Sequence, residues 1–235
     1  LNVVQQMELA GVNNLVFSST AASYKDVGSD ILASTRGITE DYSQEPSSPY
    51  GESKLRAEKI IKDSDLNYAI LRYFNVCGAN SDGIIGDSKK PSMLLVQNAV
   101  RGAMGIDKFE LTFNRSINDG EGPIRDYIDV RDLVRAHRLA LEQILSADYK
   151  YQKIYNLGTG KGLTVMDIVR ATKKHFSVDL DVEFSSTARQ GEMVAIYANP
   201  DKAKSELGFK ADYSVDDSME ALKKWYVKHP NGWQF

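Results

Sequence analysis

Residues 49–74 read PYGESKLRAEKIIKDSDLNYAILRYF, and this stretch decides the fold class. Ser48 and Pro49 predict a helix start, because serine caps helix N-termini and proline suits the first helical position. Apolar residues then recur at helical spacing, at Leu55, Ala57, Ile60 and Ile61. Residues 14–19 predict a buried strand before the helix, because Leu15, Val16 and Phe17 are consecutive apolar residues, and residues 67–74 are predicted to form the next strand.

The strand–helix–strand order predicts an α/β protein with a parallel, doubly wound sheet. Further strands are predicted at residues 125–130, 153–157 and 181–184. Further helices are predicted at residues 93–104, 132–145 and 165–176, with a last helix capped by Ser214. In such sheets ligands bind beyond the carboxyl ends of the strands. Thr20 directly follows the predicted strand at residues 14–19, and Tyr50 is expected near the same edge of the sheet.

Tyr50 and Lys54 lie four residues apart in the predicted helix, so their side chains share one face. A free tyrosine has a pKa of about 10, and a nearby ammonium favours the phenolate and lowers that pKa. A tyrosine tuned in this way can act as a general base. Together with the hydroxyl of Thr20, the pair can remove a proton from a carbinol while a nicotinamide accepts the hydride.

The sequence contains a second Tyr-x-x-x-Lys spacing at Tyr149 and Lys153, beside and within a predicted strand. Alternate strand residues point to opposite faces, and no helix cap or helical pattern accompanies this pair. We therefore place the catalytic pair at Tyr50 and Lys54.

Composition describes an ordinary globular protein of 235 residues, with 42% hydrophobic residues, 26% charged residues and a net charge of −3. That charge gives no electrostatic reason to expect nucleic acid as a partner. No apolar run approaches the roughly 20 residues of a membrane-spanning helix, so no membrane partner is expected. Cys77 is the only cysteine, which excludes an internal disulfide and fits a reducing cytoplasm. The three histidines lack metal-site spacing, so no metal is predicted.

Short motifs extend almost from end to end of the chain: Phe17-Ser18-Ser19-Thr20-Ala21, Pro49-Tyr50-Gly51-Glu52-Ser53-Lys54, Leu71-Arg72-Tyr73-Phe74-Asn75, Arg125-Asp126-Tyr127-Ile128, Tyr155-Asn156-Leu157-Gly158-Thr159-Gly160, Arg189-Gln190-Gly191-Glu192 and Ala198-Asn199-Pro200. In order and spacing they resemble the extended short-chain dehydrogenase/reductase superfamily, and closely the UDP-glucose 4-epimerase family.

The resemblance implies a Rossmann-like NAD(P)-binding domain from residues 1–76 and 125–160, with a smaller α/β sugar-nucleotide domain from residues 77–124 and 161–235. Family members begin with a strand, a Gly-x-x-Gly-x-x-Gly turn and a helix that bind the pyrophosphate. These 235 residues contain no such turn. We therefore expect a version that lacks the N-terminal nucleotide-binding portion and does not bind NAD stably by itself. Gly158-Thr159-Gly160 is interpreted as a turn before a helix capped by Thr164.

The family's functional residues map onto named positions here. By resemblance, Thr20, Tyr50 and Lys54 are catalytic and contact NAD together with Phe74. Thr20 and Tyr50 also contact the UDP-sugar, with further substrate contacts from Asn75, Leu111, Phe113, Arg125, Arg189, Glu192 and Ile196. Arg125 is expected to bind the diphosphate, because a forked guanidinium suits it.

The chain departs from the family pattern at several places. Pro91-Ser92 stands where the family has an Asn-Leu pair that contacts diphosphate and uracil, and Asp129 replaces a histidine. Ile196 occupies a position where a large aromatic residue excludes N-acetylated sugars. Isoleucine there predicts a preference for the plain hexoses and weak turnover of the N-acetyl pair, unless Ile196 is a core residue.

The implied activity is the NAD-dependent interconversion of UDP-glucose and UDP-galactose through a 4-keto intermediate, by a homodimer. Ala21-Ala22 follows Thr20 where a 4,6-dehydratase needs an acid and a base, so that activity is disfavoured. The sequence leaves open a uronate or pentose epimerase, a decarboxylase, or a truncated sugar-nucleotide-binding fragment without activity.

Overall fold

The structure is a computed structural model that describes residues 1–27, 36–89, 92–185 and 192–233. Its strands are β1 (Asn14–Thr20), β2 (Asn67–Tyr73), β3 (Asn75–Cys77), β4 (Glu110–Leu111), β5 (Ile124–Arg125), β6 (Tyr127–Asp129), β7 (Gln152–Leu157), β8 (Leu163–Thr164), β9 (Glu183–Phe184) and β10 (Ala195–Ile196). Its α-helices are α1 (Asn2–Leu9), α2 (Pro49–Lys62), α3 (Leu95–Ala103), α4 (Val130–Ser146), α5 (Val165–Phe176), α6 (Asp201–Leu207) and α7 (Val215–Lys228).

The main sheet consists of β1, β2 and β7 in that order, all parallel. Thr20 pairs with Tyr73, and Tyr73 pairs with Leu157, so the three strands end at one edge. The predicted α/β class with a parallel sheet is confirmed.

Helices cover both faces of this sheet. Alternate residues of β2 point to opposite faces, and residues on each face pack against helices. Tyr68 and Ile70 pack in a cluster with side chains of α1 and α2. Ala69 and Leu71 pack on the other face with side chains of α4 and α6. Burial on both faces explains why the centre of β2, residues 68–71, is apolar on successive residues.

A second core lies beside the sheet, where α3, α5 and α7 pack together around Trp225. Thr164 and Ser214 cap α5 and α7 as predicted, each accepting a hydrogen bond from the backbone of an aspartate three residues on. Within the described residues, no helix is long and apolar enough to cross a bilayer. The division into two domains stays a prediction; α6, within residues 161–235, packs on the sheet.

The predicted strand at residues 125–130 is wrong in detail. The structure has two short strands there, β5 and β6, separated by Asp126, and α4 already begins at Val130. β5 pairs with β10 and β8, whereas β6 pairs with β3. The chain changes sheets at Asp126 because its carboxylate is fully buried and accepts hydrogen bonds from a neighbouring loop.

The loop at residues 78–89 is held against α7. The indole Nε1 of Trp225 donates to the carbonyl of Asp87 at 3.0 Å, and a side chain at Gly86 would collide with the Trp225 ring. This loop leads to Met93 and Leu94, which line a cavity described below. Pro91, where the sequence departs from the family pattern, lies outside the described residues.

Candidate active site

Tyr50 lies in the first turn of α2, the helix predicted from the sequence. The hydroxyl of Ser48 accepts a hydrogen bond from the Gly51 amide at 3.1 Å, and Pro49 occupies the first turn. This capping fixes where the helix starts, and therefore where Tyr50 is displayed. Its side chain is 53% exposed, so the phenol is accessible to a ligand.

Lys54 connects Tyr50 to the end of β1. Its ammonium Nζ donates to the Ser18 carbonyl at 2.9 Å and lies 5.9 Å from the centroid of the Tyr50 ring. This bond uses one of its three N–H donors, and within the described residues the other two are not bonded to the protein. The predicted pair therefore shares one helix face beside the sheet edge.

Thr20 is the last residue of β1, and its hydroxyl accepts a hydrogen bond from the Ala22 amide at 3.2 Å. α2 approaches this turn closely, because a β-carbon at Gly51 would collide with the Ala22 carbonyl oxygen. Only glycine permits this contact. The structure thus brings the region of Thr20 and the first turn of α2 together, as the resemblance implies for a catalytic set.

A cavity of about 210 Å³ lies between the sheet edge and the second core. Five of the predicted substrate residues line it: Asn75, Leu111, Phe113, Arg125 and Glu192. Asn98, Glu110 and Thr112 also line it and were missed by the sequence reasoning. Asn98 lies within α3, and Glu110 and Thr112 flank Leu111 of the short strand β4, so no local signal in the sequence indicated them.

Arg125 and Glu192 face each other at the cavity, with Arg125 Nη2 and Glu192 Oε1 3.8 Å apart and both side chains mostly buried. The Arg125 Nη1 donates to the Ile124 carbonyl at 2.9 Å. β5 carries Arg125 next to β10, where Arg125 pairs in register with Ile196. The guanidinium is therefore oriented within the cavity wall, which suits recognition of an anionic group.

Phe74 and Ile196 do not line this cavity, and both pack in one buried cluster that also contains Ala21 and Tyr24. They are 6% and 4% exposed, respectively. Their predicted contacts with nicotinamide and sugar stay predictions. Arg189, predicted to contact the nucleotide, lies outside the described residues.

Asp126 is a buried carboxylate to which the sequence reasoning gave no role. It accepts hydrogen bonds from the backbone amides of Thr159, Gly160 and Ala198 at 2.9, 3.0 and 3.2 Å. Burial raises its pKa despite these bonds. The glycine-rich turn predicted at residues 158–160 therefore wraps around a protein carboxylate, and this contact holds Arg125 near the β10 segment.

The second Tyr-x-x-x-Lys pair has other partners. Tyr149 stacks on Tyr151 with ring centroids 6.2 Å apart. Lys153 lies on β7 and forms an ion pair with Glu206 at 3.2 Å. The predicted strand location is confirmed for Lys153.

The residues at the edge of β1 fit the nicotinamide end of NAD. They offer an accessible phenol at Tyr50, an ammonium at Lys54 with two remaining donors, and a hydroxyl at Thr20. The close approach at Gly51 keeps these three groups at one sheet edge, where doubly wound sheets bind their ligands.

A model of the NAD dependent epimerase/dehydratase family matches residues 1–158. The chain belongs to this family. The UDP-glucose 4-epimerase of Lactobacillus helveticus is 35% identical over 240 residues, which cover 100% of this chain and 70% of that protein. UDP-arabinose 4-epimerase 1 of Arabidopsis thaliana is 36% identical over 245 residues, which cover 99% of this chain and 56% of that protein.

Solved structures of the family are similar over nearly the whole chain. A crystal structure of UDP-glucose 4-epimerase superposes with a TM-score of 0.86 at 36% identity, covering 99% of this chain and 70% of the other. The Bifidobacterium longum UDP-glucose 4-epimerase in complex with NAD+ and UDP has a TM-score of 0.86 at 30% identity, covering 98% and 68%. This similarity confirms the predicted Rossmann-like fold class.

Proposed function

We propose that this chain carries the catalytic residues of an NAD-dependent 4-epimerase that interconverts UDP-glucose and UDP-galactose through a transient 4-keto sugar. The observation that carries the proposal is the Tyr50–Lys54 pair on α2, tied to the end of β1 by the bond from Lys54 to Ser18. Relatives named UDP-glucose 4-epimerase, one of them 35% identical, support the assignment.

Each residue of the set has a distinct role in the proposed reaction. The Tyr50 phenolate removes the proton of the O4 hydroxyl, and the ammonium of Lys54 offsets the negative charge of that phenolate. Thr20 donates a hydrogen bond to the same substrate oxygen. When bound beside Thr20, Tyr50, Lys54 and Phe74, NAD would supply the reversible hydride acceptor for C4 of the sugar. Tyr50 then returns its proton to O4, so that protons and hydride balance over the cycle.

The cavity is the proposed site of the nucleotide. Arg125 binds the diphosphate, Asn75 and Glu192 provide polar contacts, and Leu111 and Phe113 form an apolar wall for the base. Arg189 belongs to the same proposed set. Phe74 is proposed to line the nicotinamide side, and Ile196 to lie beside the C2 substituent of the sugar. We further propose that the protein is a homodimer, that it works in the cytoplasm and that it takes part in galactose metabolism.

A UDP-pentose is the second candidate substrate, because UDP-arabinose 4-epimerase 1 is 36% identical to the chain. The reaction at C4 is the same for both sugars. The two differ at C5, where a hexose carries a hydroxymethyl group that a pentose lacks. The difference comprises a hydroxyl as well as a methylene, so the discrimination depends on whether the site bonds that hydroxyl, and both sugars need to be assayed.

The test uses the natural polypeptide, supplied with NAD and then with UDP-galactose or UDP-arabinose. We expect formation of UDP-glucose from UDP-galactose, measured by a coupled dehydrogenase assay, and approach to the same product ratio from either direction. Faster turnover of UDP-arabinose would move the assignment to the pentose. No conversion of any UDP-sugar by protein with bound NAD would reject the proposal.

A further inference from the structure

Glu58 of α2 and Arg72 of β2 form an ion pair inside the protein, with side chains 0% and 1% exposed. Arg72 Nε donates to Glu58 Oε1 at 3.0 Å, and Arg72 Nη2 donates to Oε2 at 2.6 Å. Two parallel hydrogen bonds fix direction as well as distance. Buried pairs can often be replaced by apolar residues without loss of stability, so stability alone explains this pair poorly.

The pair continues the stripe of α2 that carries the proposed catalytic residues. Tyr50, Lys54 and Glu58 follow one another at intervals of four residues, which places them along one side of the helix. Lys54 donates to the Ser18 carbonyl of β1 at 2.9 Å. The hydroxyl of Ser19, the next residue of β1, donates to Glu58. Two successive turns of α2 are thereby tied to two successive residues of β1.

Arg72 extends these contacts to the rest of the sheet. Its Nη1 donates to the Tyr24 hydroxyl at 2.8 Å and to the Glu40 carbonyl at 2.9 Å. The Tyr24 hydroxyl donates in turn to Asn156 Oδ1 on β7 at 2.6 Å. One connected network therefore links α2 with β1, β2 and β7.

The protonation of these groups agrees with the geometry. Burial raises the pKa of Tyr24 to about 12, which keeps its phenol a proton donor. Burial alone would also raise the pKa of Glu58, but the hydrogen bonds and charge of Arg72, with help from Ser19 and Lys62, hold it below its ordinary value. Glu58 is thus the charged partner that the ion pair requires at neutral pH.

We infer that the Glu58–Arg72 pair is a positioning device, which sets where α2 lies along the sheet and thereby the separation between Tyr50 and Thr20. Neither residue lines the cavity, so both act through α2. The kinetic part of this inference rests on the proposed epimerase function.

The kinetic test compares Glu58→Gln and Glu58→Asp with the native protein. Aspartate keeps the negative charge that Arg72 needs, so we expect Glu58→Asp to fold. Its side chain is one methylene shorter, so the position of α2 should still change. Because a misplacement of about 1 Å can cost about 100-fold in rate, we expect kcat to fall about 10- to 100-fold, with KM for the UDP-sugar changed less than about twofold.

The matched control is Asp132→Asn. Asp132 is equally buried and paired with an arginine, Arg135, but it lies on α4 and accepts hydrogen bonds from the amides of Asp212 and Tyr213 at 3.0 Å each. We expect this variant to melt at a lower temperature and to keep native kcat when assayed well below its melting point.

Two further measurements separate positioning from general damage. In a Thr20→Val background, Glu58→Gln should reduce kcat little further, because the alignment of Tyr50 with Thr20 no longer contributes to the rate.

Crystal structures of Glu58→Gln and Glu58→Asp should show α2 displaced relative to β1 by about 1 Å. Native kcat in both variants, additive losses, or an unmoved α2 would each overturn the inference. If the native protein lacks epimerase activity, the proposed function fails while the crystal structures still decide the positioning.

Discussion

Tyr50 is a half-exposed side chain beside Lys54, whose ammonium bonds to the end of β1, and it is the proposed general base. We predict that Tyr50→Phe leaves the fold intact, because the ring remains, and lowers kcat by about 10²–10⁴-fold, the usual contribution of a positioned acid–base group. Steady-state kinetics of UDP-galactose conversion measure this. Tyr149→Phe is the control and should keep native kcat; native turnover of Tyr50→Phe would reject Tyr50 as the base.

Ile196 is both a core residue and the proposed gate beside the sugar. It is 4% exposed and packs in the cluster of Phe74, so a large residue there would disturb the core. We predict that Ile196→Val destabilises the protein by about 0.5–1.5 kcal/mol, measured by denaturant unfolding, and raises turnover of N-acetylated UDP-sugars relative to UDP-galactose. Equal changes in kcat/KM for both sugar types would assign Ile196 to the core alone.

At the scale of elements, α2 can lie this close to the turn after β1 only because residue 51 is a glycine. A β-carbon at Gly51 would collide with the backbone oxygen of Ala22, which cannot move aside as a flexible side chain can. We predict that Gly51→Ala destabilises the protein by about 1–3 kcal/mol and lowers kcat at least tenfold by moving Tyr50 away from Thr20.

The control for this helix is Glu52→Ala, in the same turn but directed to solvent, where its ion pair with Arg56 is exposed. An exposed pair contributes about 0–1 kcal/mol, so stability and kcat should stay near native values. If Gly51→Ala retains native kcat and melting temperature, then the close approach of α2 to this turn does not matter for the site.

At the scale of the whole molecule, three buried proton donors in different parts of the fold make stability sensitive to alkali. Burial raises the pKa of Tyr24 to about 12, of Tyr226 to about 12 and of Cys77 to about 12. The unfolded chain loses these protons near ordinary values of about 8.5–10. The stabilisation is therefore complete at neutral pH and is lost as the pH rises from about 9 towards 12.

Denaturant titrations at a series of alkaline pH values measure this effect. Each group contributes a slope of up to about 1.4 kcal/mol per pH unit, so the free energy of unfolding should fall steeply with rising pH. We predict that Tyr24→Phe makes that slope shallower by up to this amount. An unchanged slope in Tyr24→Phe would show that Tyr24 does not titrate differently on folding.

The sequence by itself determined those elements that are set by nearby residues, and the identity of the proposed catalytic set. The cap at Ser48, the apolar residues 68–71 and the caps at Thr164 and Ser214 act over a few residues, and the elements that they predict are present. Tyr50 and Lys54 share a helix face for the same local reason. The order and spacing of the motifs also predicted the family, and the family match to residues 1–158 confirms that prediction.

Only the tertiary structure decided which distant residues meet. The break at Asp126 depends on amides of residues 159, 160 and 198, so no local pattern near residue 126 could indicate it. The pairing of Glu58 with Arg72 joins a helix to a strand, and a charged residue in a helix is ordinarily expected on the exposed face. Burial of these charges becomes favourable only when their partners converge, and that convergence is a property of the folded chain rather than of any one segment.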